Sequence, residues 1–308
     1  MPPSVSCIIP TLQADIRSIL PLQSILPDDT NIREILIISP HPSPQNSPFR
    51  WITFPHQTSF SSQCNFGAEH ASSEFLFFVN DDITLTEPLT PSLLSAFDTE
   101  EIFAVCPPIW TLHQGRVVDE ACTRLIWERG FLWTPFPAQR VQNFPRPFRI
   151  PYFPGACVLI RKEIYHRLGG FQVLFSPAYW EDVDLSLRAW RRGYAILHFP
   201  SAPVWHYRGR STSSFSPHLR NFLFFRNQLF LHYIHLLTPE KYHSFRLAET
   251  ARFVSSFFRK KWFYYPAYRE VRKNFPVLFS LREKEKKEAK LGEQELWGIL
   301  LSLPDDSF

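Results

Sequence analysis

Four short apolar runs in the first eighty residues, each stopped by proline or a polar turn, constrain this chain more than any other feature. Val5-Ser-Cys-Ile-Ile9 ends at Pro10, and Glu34-Ile-Leu-Ile-Ile38 ends at Ser39-Pro40. Trp51-Ile-Thr-Phe54 ends at Pro55, and Phe75-Leu-Phe-Phe-Val79 ends at Asn80-Asp81-Asp82. Runs rich in β-branched and aromatic residues, with little polar alternation, belong to strands buried on both faces, as in a parallel sheet. Asp15 to Ile25 and Ser61 to Ala71 are predicted crossover helices between them. Strand–helix alternation of this kind gives an α/β fold, a doubly wound and mostly parallel sheet flanked by helices. Such sheets bind ligands at the carboxyl ends of their strands. The acid pair Asp81-Asp82 stands at such an end.

From about Phe103 to Pro154 the prolines multiply, and irregular structure is expected, with a hairpin around Gly115. Ala156-Cys-Val-Leu-Ile160 is a predicted strand, followed by a helix over Lys162 to Leu168 that Gly169-Gly170 stops. Glu181 to Arg192 is a predicted helix with Val183, Leu187 and Trp190 on one face. Its acids lie in the first turn and its arginines in the last, matching the helix dipole, and Gly193 closes it. Ala195 to Phe199 is a further strand. After Ser214 the composition shifts: Thr238-Pro-Glu opens a helix, and Leu247, Ala251, Val254 and Phe258 follow at helical spacing. The alternating Lys and Glu of Arg282 to Glu295 predict a solvated helix face. The expected division is a sheet domain over 1–214 and a helical C-terminal extension over 215–308.

The chain has 308 residues, with 33 basic and 29 acidic side chains, a net +4 that is too mild to indicate nucleic acid. Its five cysteines are scattered without a C-x-x-C pair, so buried thiols are expected in place of disulfides or zinc. The start has no basic region and no long apolar stretch, unlike a signal peptide. The best spanning candidate, Phe222 to Leu237, is interrupted by Arg226, Asn227, Gln228 and His232. A cytoplasmic address is the expectation.

Three polar clusters could carry chemistry. Asn80-Asp81-Asp82 could hold a divalent cation, since hard ions prefer oxygen ligands, or could simply be a turn. Trp180-Glu181-Asp182-Val183-Asp184 opens a helix, where acids either complement the dipole or include a general base. Val204-Trp205-His206-Tyr207-Arg208 follows a strand, and its histidine is either packed among aromatics or a ligand.

The order and spacing of these clusters bring in a resemblance. Ser4-Val-Ser-Cys-Ile-Ile-Pro-Thr11 comes first, then Asn65-Phe-Gly67 and Glu74-Phe-Leu-Phe-Phe-Val-Asn-Asp-Asp82. Pro154-Gly-Ala-Cys-Val-Leu-Ile-Arg161, Leu168-Gly-Gly-Phe171 and Trp180-Glu-Asp-Val-Asp-Leu-Ser-Leu-Arg188 follow. Gly193-Tyr194 and Val204-Trp-His-Tyr-Arg-Gly-Arg-Ser211 complete the series. Over roughly the first 210 residues this ordered set resembles glycosyltransferase family 2, inverting enzymes of the GT-A fold, in its rhamnosyltransferase-like branch. Arg220 to Asn227 also resembles the segment that follows the domain in that branch.

The resemblance implies a nucleotide-binding half over 1–105 and an acceptor half over 106–214. It implies Asp182 as the catalytic base, with Glu181 and Trp180 beside the acceptor. It places Asp82 and His206 at a divalent cation, Mn²⁺ or Mg²⁺, with Asn80 where the first acid of the metal motif often stands. Pro10, Thr11, Asn65, Asp81, Gly155 and Ala156 would contact a nucleotide-diphosphate sugar. The acceptor would be a saccharide or lipid-linked saccharide, in cell-surface polysaccharide or glycolipid synthesis. One departure stands out: Ile37-Ile38-Ser39-Pro40-His41-Pro42 lacks the acid that usually helps hold the base. A non-catalytic GT-A domain serving as a sugar-binding or scaffolding subunit is the alternative.

Between Arg246 and Lys273 eight basic residues are interleaved with aromatics such as Phe257, Phe258, Trp262 and Tyr265, against only Glu249 and Glu270. That composition suits an anionic membrane surface. It equally suits a helical cap packed on the sheet domain or on a second subunit; RNA binding lacks any accompanying motif.

Overall fold

The computed structural model describes residues 3–12, 29–44, 47, 49–54, 59–136, 144–207 and 215–303. The helix expected over 15–25 and the stretch 208–214 lie outside them. Strands β1 (Val5–Pro10), β2 (Ile32–Ser39), β3 (Arg50–Thr53) and β4 (Phe75–Val79) form from the four apolar runs. β1 pairs in parallel with both β2 and β4, and β2 with β3. Every residue of β1 and β4 is buried, which is why neither run alternates. The helix Phe60–His70 packs across β1 and β2, its start fixed by a reciprocal Ser59–Ser62 capping box.

After the short β5 (Ile83–Thr84), the stretch from Phe103 to Pro154 is more regular than its prolines imply. It holds β6 (Ile102–Cys106), then β7 (Ile109–His113) and β8 (Arg116–Asp119) as the expected hairpin around Gly115. A second hairpin, β9 (Ile126–Glu128) with β10 (Phe131–Trp133), had no counterpart in the sequence reading. Both turns place two residues at positive φ, Gln114-Gly115 and Arg129-Gly130, the backbone of a tight hairpin.

β11 (Phe148–Arg149), β12 (Cys157–Arg161) and β13 (Ala195–His198) complete an eight-stranded sheet ordered β11-β13-β6-β12-β4-β1-β2-β3. Only β12 and the two-residue β11 run antiparallel to their neighbours in it. β14 (Val204–His206) is itself a strand, in a smaller sheet ordered β5-β14-β7-β8 above the ends of β4 and β6. The helices Lys162–Leu168 and Glu181–Arg191 match expectation. All five cysteines are free and buried.

Helices Pro217–His235, Pro239–Phe258, Tyr264–Lys273, Phe275–Lys287 and Glu293–Ser302 follow. The first docks on the β9–β10 hairpin. Gln228 Nε2 donates to the Leu132 carbonyl at 2.8 Å, and the Leu132 N–H donates to His232 Nε2 at 2.7 Å. Burial pushes His232 down to about 3, so the ring is neutral and that nitrogen is free to accept. The expected solvated face over Arg282 to Glu295 is half wrong. Arg282 and Glu285 are buried, Arg282 donating to the Tyr233 carbonyl and Glu285 accepting from Arg192 at 2.8 and 3.0 Å. Alternating charge cannot tell water from a buried partner of opposite sign. Among the described residues no helix is long and apolar enough to cross a membrane.

Candidate active site

A cleft of about 450 Å³ opens at the carboxyl ends of β1 and β4. Pro10, Thr11 and Asn80 line one part of it, Gly155, Ala156 and Asp182 another, and Glu120 and His206 a third. Trp180, Glu181, Tyr179 and Phe224 close the side nearest the C-terminal helices.

The strand ends are tied together from below. Gln63 Nε2 donates to the carbonyls of Thr11 (2.8 Å) and Ile38 (2.9 Å), bridging β1 and β2. Thr11 Oγ1 donates to Asp81 Oδ2 at 2.5 Å. The Asn80 N–H donates to the Ala156 carbonyl at 2.9 Å, so the acid-bearing turn is locked to the start of β12. Asp82 is buried and reaches His206, with Oδ1 and Nε2 3.2 Å apart. The other ring nitrogen, Nδ1, lies 3.1 Å from Glu120 Oε2. Burial works against a charge on His206, but the hydrogen bonds to Asp82 and Glu120 outweigh it and lift the ring to about 9. Two carboxylates around one imidazole make a pocket that demands positive charge. Asp82 and Glu120 meet opposite nitrogens of the ring, so an Mn²⁺ or Mg²⁺ ion here would sit between Asp82 and Nε2 and take the place of the proton on that nitrogen, with Glu120 holding the other side of the ring.

The helix Glu181–Arg191 begins abruptly. Tyr179 and Trp180 both sit in the left-handed region, at φ 80° and 75°, a costly conformation for bulky residues and one that clusters at functional sites. The turn is held from outside by Asn227, whose Nδ2 donates to the carbonyls of Phe175 (2.6 Å), Ala178 (2.9 Å) and Tyr179 (2.8 Å). Asp182 follows in the first helical turn. Burial lifts its carboxyl to about 6, against the opposing pull of the Val183, Gly155 and Asp182 N–H groups. Burial and the adjacent Asp182 hold Glu181 well above the usual range. Asp184 is different: Arg188 at 2.7 Å and His235 at 2.8 Å keep it ionised although it is buried. One acidic cluster thus contains two carboxyls that burial pushes up and one structural anion.

Asn65 is set apart from the cleft. Its side chain is engaged with the Phe171 backbone (2.8 and 2.9 Å) and with the Tyr165 hydroxyl (2.6 Å), joining the helix Phe60–His70 to the Gly169-Gly170 turn. Ser39, at the position of the expected acid, accepts from the His41 N–H and shapes the turn after β2. Glu120 and Asn227 were missed. An acid pair after a hairpin and an asparagine inside an apolar helix carry no pattern that names their partners. Asp119, Cys122 and His198 form a second group with ligand-type atoms. There Asp119 accepts from the Ile109 and Ala121 N–H groups and from His198, bracing β7 against β13.

Residues 28–169 match the family described as glycosyl transferase family 2. That span is just under half of the chain, and over it the chain is similar to family 2 glycosyltransferases. Similar proteins include an N-acetylglucosaminyl-diphospho-decaprenol L-rhamnosyltransferase of Mycobacterium tuberculosis, 33% identical over 86 residues, covering 28% of this chain and 27% of that one. N-acetylgalactosaminyltransferase 6 of Drosophila melanogaster is 26% identical over 184 residues, 57% of this chain and 28% of the relative. The O-antigen biosynthesis protein RfbC of Myxococcus xanthus is 27% identical over 173 residues, 52% and 13%. The chain therefore spans less than a third of each. Among solved structures, GalNAc-T7 with UDP, GalNAc and Mn²⁺ superposes with a TM-score of 0.58 at 14% identity, over 75% of this chain and 48% of that one. The mannosyltransferase PcManGT of Pyrobaculum calidifontis, with GDP-Man and Mn²⁺, gives 0.50 at 12%, over 97% and 84%. These likenesses bear out the GT-A fold.

Proposed function

We propose that this chain is an inverting glycosyltransferase that moves a sugar from a nucleotide-diphosphate sugar to a hydroxyl of a saccharide acceptor. The acceptor is lipid-linked, and the product belongs to cell-surface polysaccharide or glycolipid synthesis. The observation that carries this reading is the cleft itself: Asp182, Glu120 and His206 line one cavity at the strand ends, and Asp82 lies behind His206, 3.2 Å from its Nε2. Asp182, ionised at neutral pH, takes the proton of the attacking hydroxyl. Glu181, pushed toward its protonated form by burial and by the neighbouring Asp182, is placed to donate a hydrogen bond to the acceptor. Adjacent carboxyls cannot flank a sugar from both sides, which argues for direct displacement and against glycoside hydrolysis. Asp82 and His206 would hold the divalent cation, which would supply Lewis-acid charge at the departing diphosphate. Thr11, Asp81, Gly155 and Ala156 line or support the donor side.

Calorimetric titration with a panel of nucleoside diphosphates and nucleotide sugars, with and without Mn²⁺ or Mg²⁺, tests the reading. One nucleotide should bind only with metal, and Asp82→Asn should abolish that dependence. Asp182→Asn should keep nucleotide binding and lower transfer by roughly 10²–10⁴-fold. Binding of no nucleotide would overturn the donor site and leave the non-catalytic alternative.

A further inference from the structure

The periodic residues of the helix Pro239–Phe258 face the wrong way for a core. Leu247, Val254 and Phe258 are 61%, 54% and 77% exposed, and Thr250, Ala251 and Phe257 share the same outward stripe. The inward face is mixed: Phe245 is fully buried against Phe131, His232 and Tyr233, and beside it Glu249 accepts from the Tyr233 hydroxyl at 2.8 Å, Arg252 lies over the Phe131 ring and reaches Gln228 Oε1 at 3.1 Å, and Ser256 is buried. An ordinary surface helix carries its apolar stripe on the inward side alone; this helix has a second one facing out. The stripe ends in a knob: Phe257 packs edge-on against Phe258 and Trp262, with ring centres 5.6 and 6.0 Å apart, and Trp262 is 54% exposed. The turn between them is Arg259-Lys260-Lys261, exposed throughout. From 246 to 269 the sole acid is Glu249, which is buried and already paired.

We propose that this outward face docks into the headgroup region of an anionic lipid bilayer, the aromatics entering the interface and the basic turn meeting lipid charge. Charge complementarity selects the occupant, because a second copy would bring an identical cationic turn against this one. The face is also connected to the cleft. Phe224 lines the cavity and meets Phe225, which stacks on Phe263 at 5.4 Å, next in sequence to Trp262. Docking therefore sets the Trp180–Phe224 side of the cleft near the membrane, where a lipid-linked acceptor would present its saccharide. That last clause rests on the proposed transfer reaction; the docking does not.

Co-sedimentation of the full chain with vesicles of phosphatidylcholine alone, and of phosphatidylcholine with phosphatidylglycerol, tests the proposal. Partition should favour the anionic vesicles and weaken with salt. Replacing Arg259, Lys260 and Lys261 together by Gln should weaken it by roughly a hundredfold, three charges each contributing about fivefold. Phe257→Ser with Phe258→Ser should abolish partition while thermal unfolding, which reports the fold, stays cooperative. Equal partition into both vesicle types, or indifference to the charge replacement, overturns the proposal. So does a dimer in sedimentation velocity that the Phe257→Ser, Phe258→Ser pair dissolves without any vesicle binding. Nucleotide titration of the same variants reads the donor site separately, so failure of the reaction assignment and failure of docking give different results.

Discussion

Asp182 and Glu181 are neighbours in sequence, and burial raises both carboxyls; the Val183 and Gly155 N–H groups hold Asp182 back, while the adjacent Asp182 pushes Glu181 further up. Asp182 ionises near 6, well above its value in an unfolded chain, so the folded state binds its proton more tightly than the unfolded state does. Between those two values the folded state holds more protons, and wild-type stability must fall as pH rises through that window. Asp182→Asn removes the ionisation. Relative to wild type, the variant should gain up to about 3 kcal/mol between about pH 4 and pH 7.5, measured by urea unfolding at each pH. The same titration should make transfer fall on the acid side of about 6. His206 was legible as a candidate because it follows an apolar run at the family spacing, but its second carboxylate, Glu120, was not. Glu120 comes from a hairpin 86 residues away, and no local pattern encodes that contact.

Strands β1 to β4, β12 and β13 and the helix Glu181–Arg191 were readable because burial on both faces, or a dipole with a glycine stop, marks their residues; β6, β7 and the division into helices Tyr264–Lys273, Phe275–Lys287 and Glu293–Ser302 were not, and the helix expected over 282–295 crosses the break between the last two. The β9–β10 hairpin escaped because three-residue strands leave too few positions for a period to show. Its turn nevertheless has a strict requirement. A Cβ at Gly130 would stand 2.6 Å from Ala248 Cβ and 2.7 Å from the Ser244 carbonyl oxygen, at φ +78°. Gly115, in the sister turn at φ +77°, has nothing within 4 Å. Gly115→Ala should therefore cost only the conformational penalty, about 1–2 kcal/mol. Gly130→Ala should cost about 2–4 kcal/mol, because the helix Pro239–Phe258 must also give way. Thermal unfolding of the two variants side by side separates the terms. The outward stripe of that helix was equally hidden: spacing identifies an apolar stripe and says nothing of which way it points.

At the scale of the molecule, the C-terminal helices are bound to the sheet domain through buried charge. Arg191 is fully buried and pairs with Glu293, with Glu285 at 3.9 Å, and donates to the His235 carbonyl at 3.1 Å. Arg192 is shared between Glu285 and Glu288. Two arginines at the end of one helix thus need carboxylates supplied about ninety residues later. Removing a partner leaves a buried charge uncompensated, which costs more than the intact pair contributes. Glu285→Gln should lower stability by about 2–3 kcal/mol, seen as a lower urea midpoint with the slope unchanged.

Asn227 makes the two parts of the chain inseparable in a further sense. It belongs to the first of the C-terminal helices, yet it holds the three carbonyls that set the left-handed turn in front of Asp182. A chimaera that joined residues 1–207 to the helices of a relative would release the turn before Asp182 unless an amide arrived at the same point. On the proposed reaction, exchanging the C-terminal helices alone should yield folded proteins without turnover.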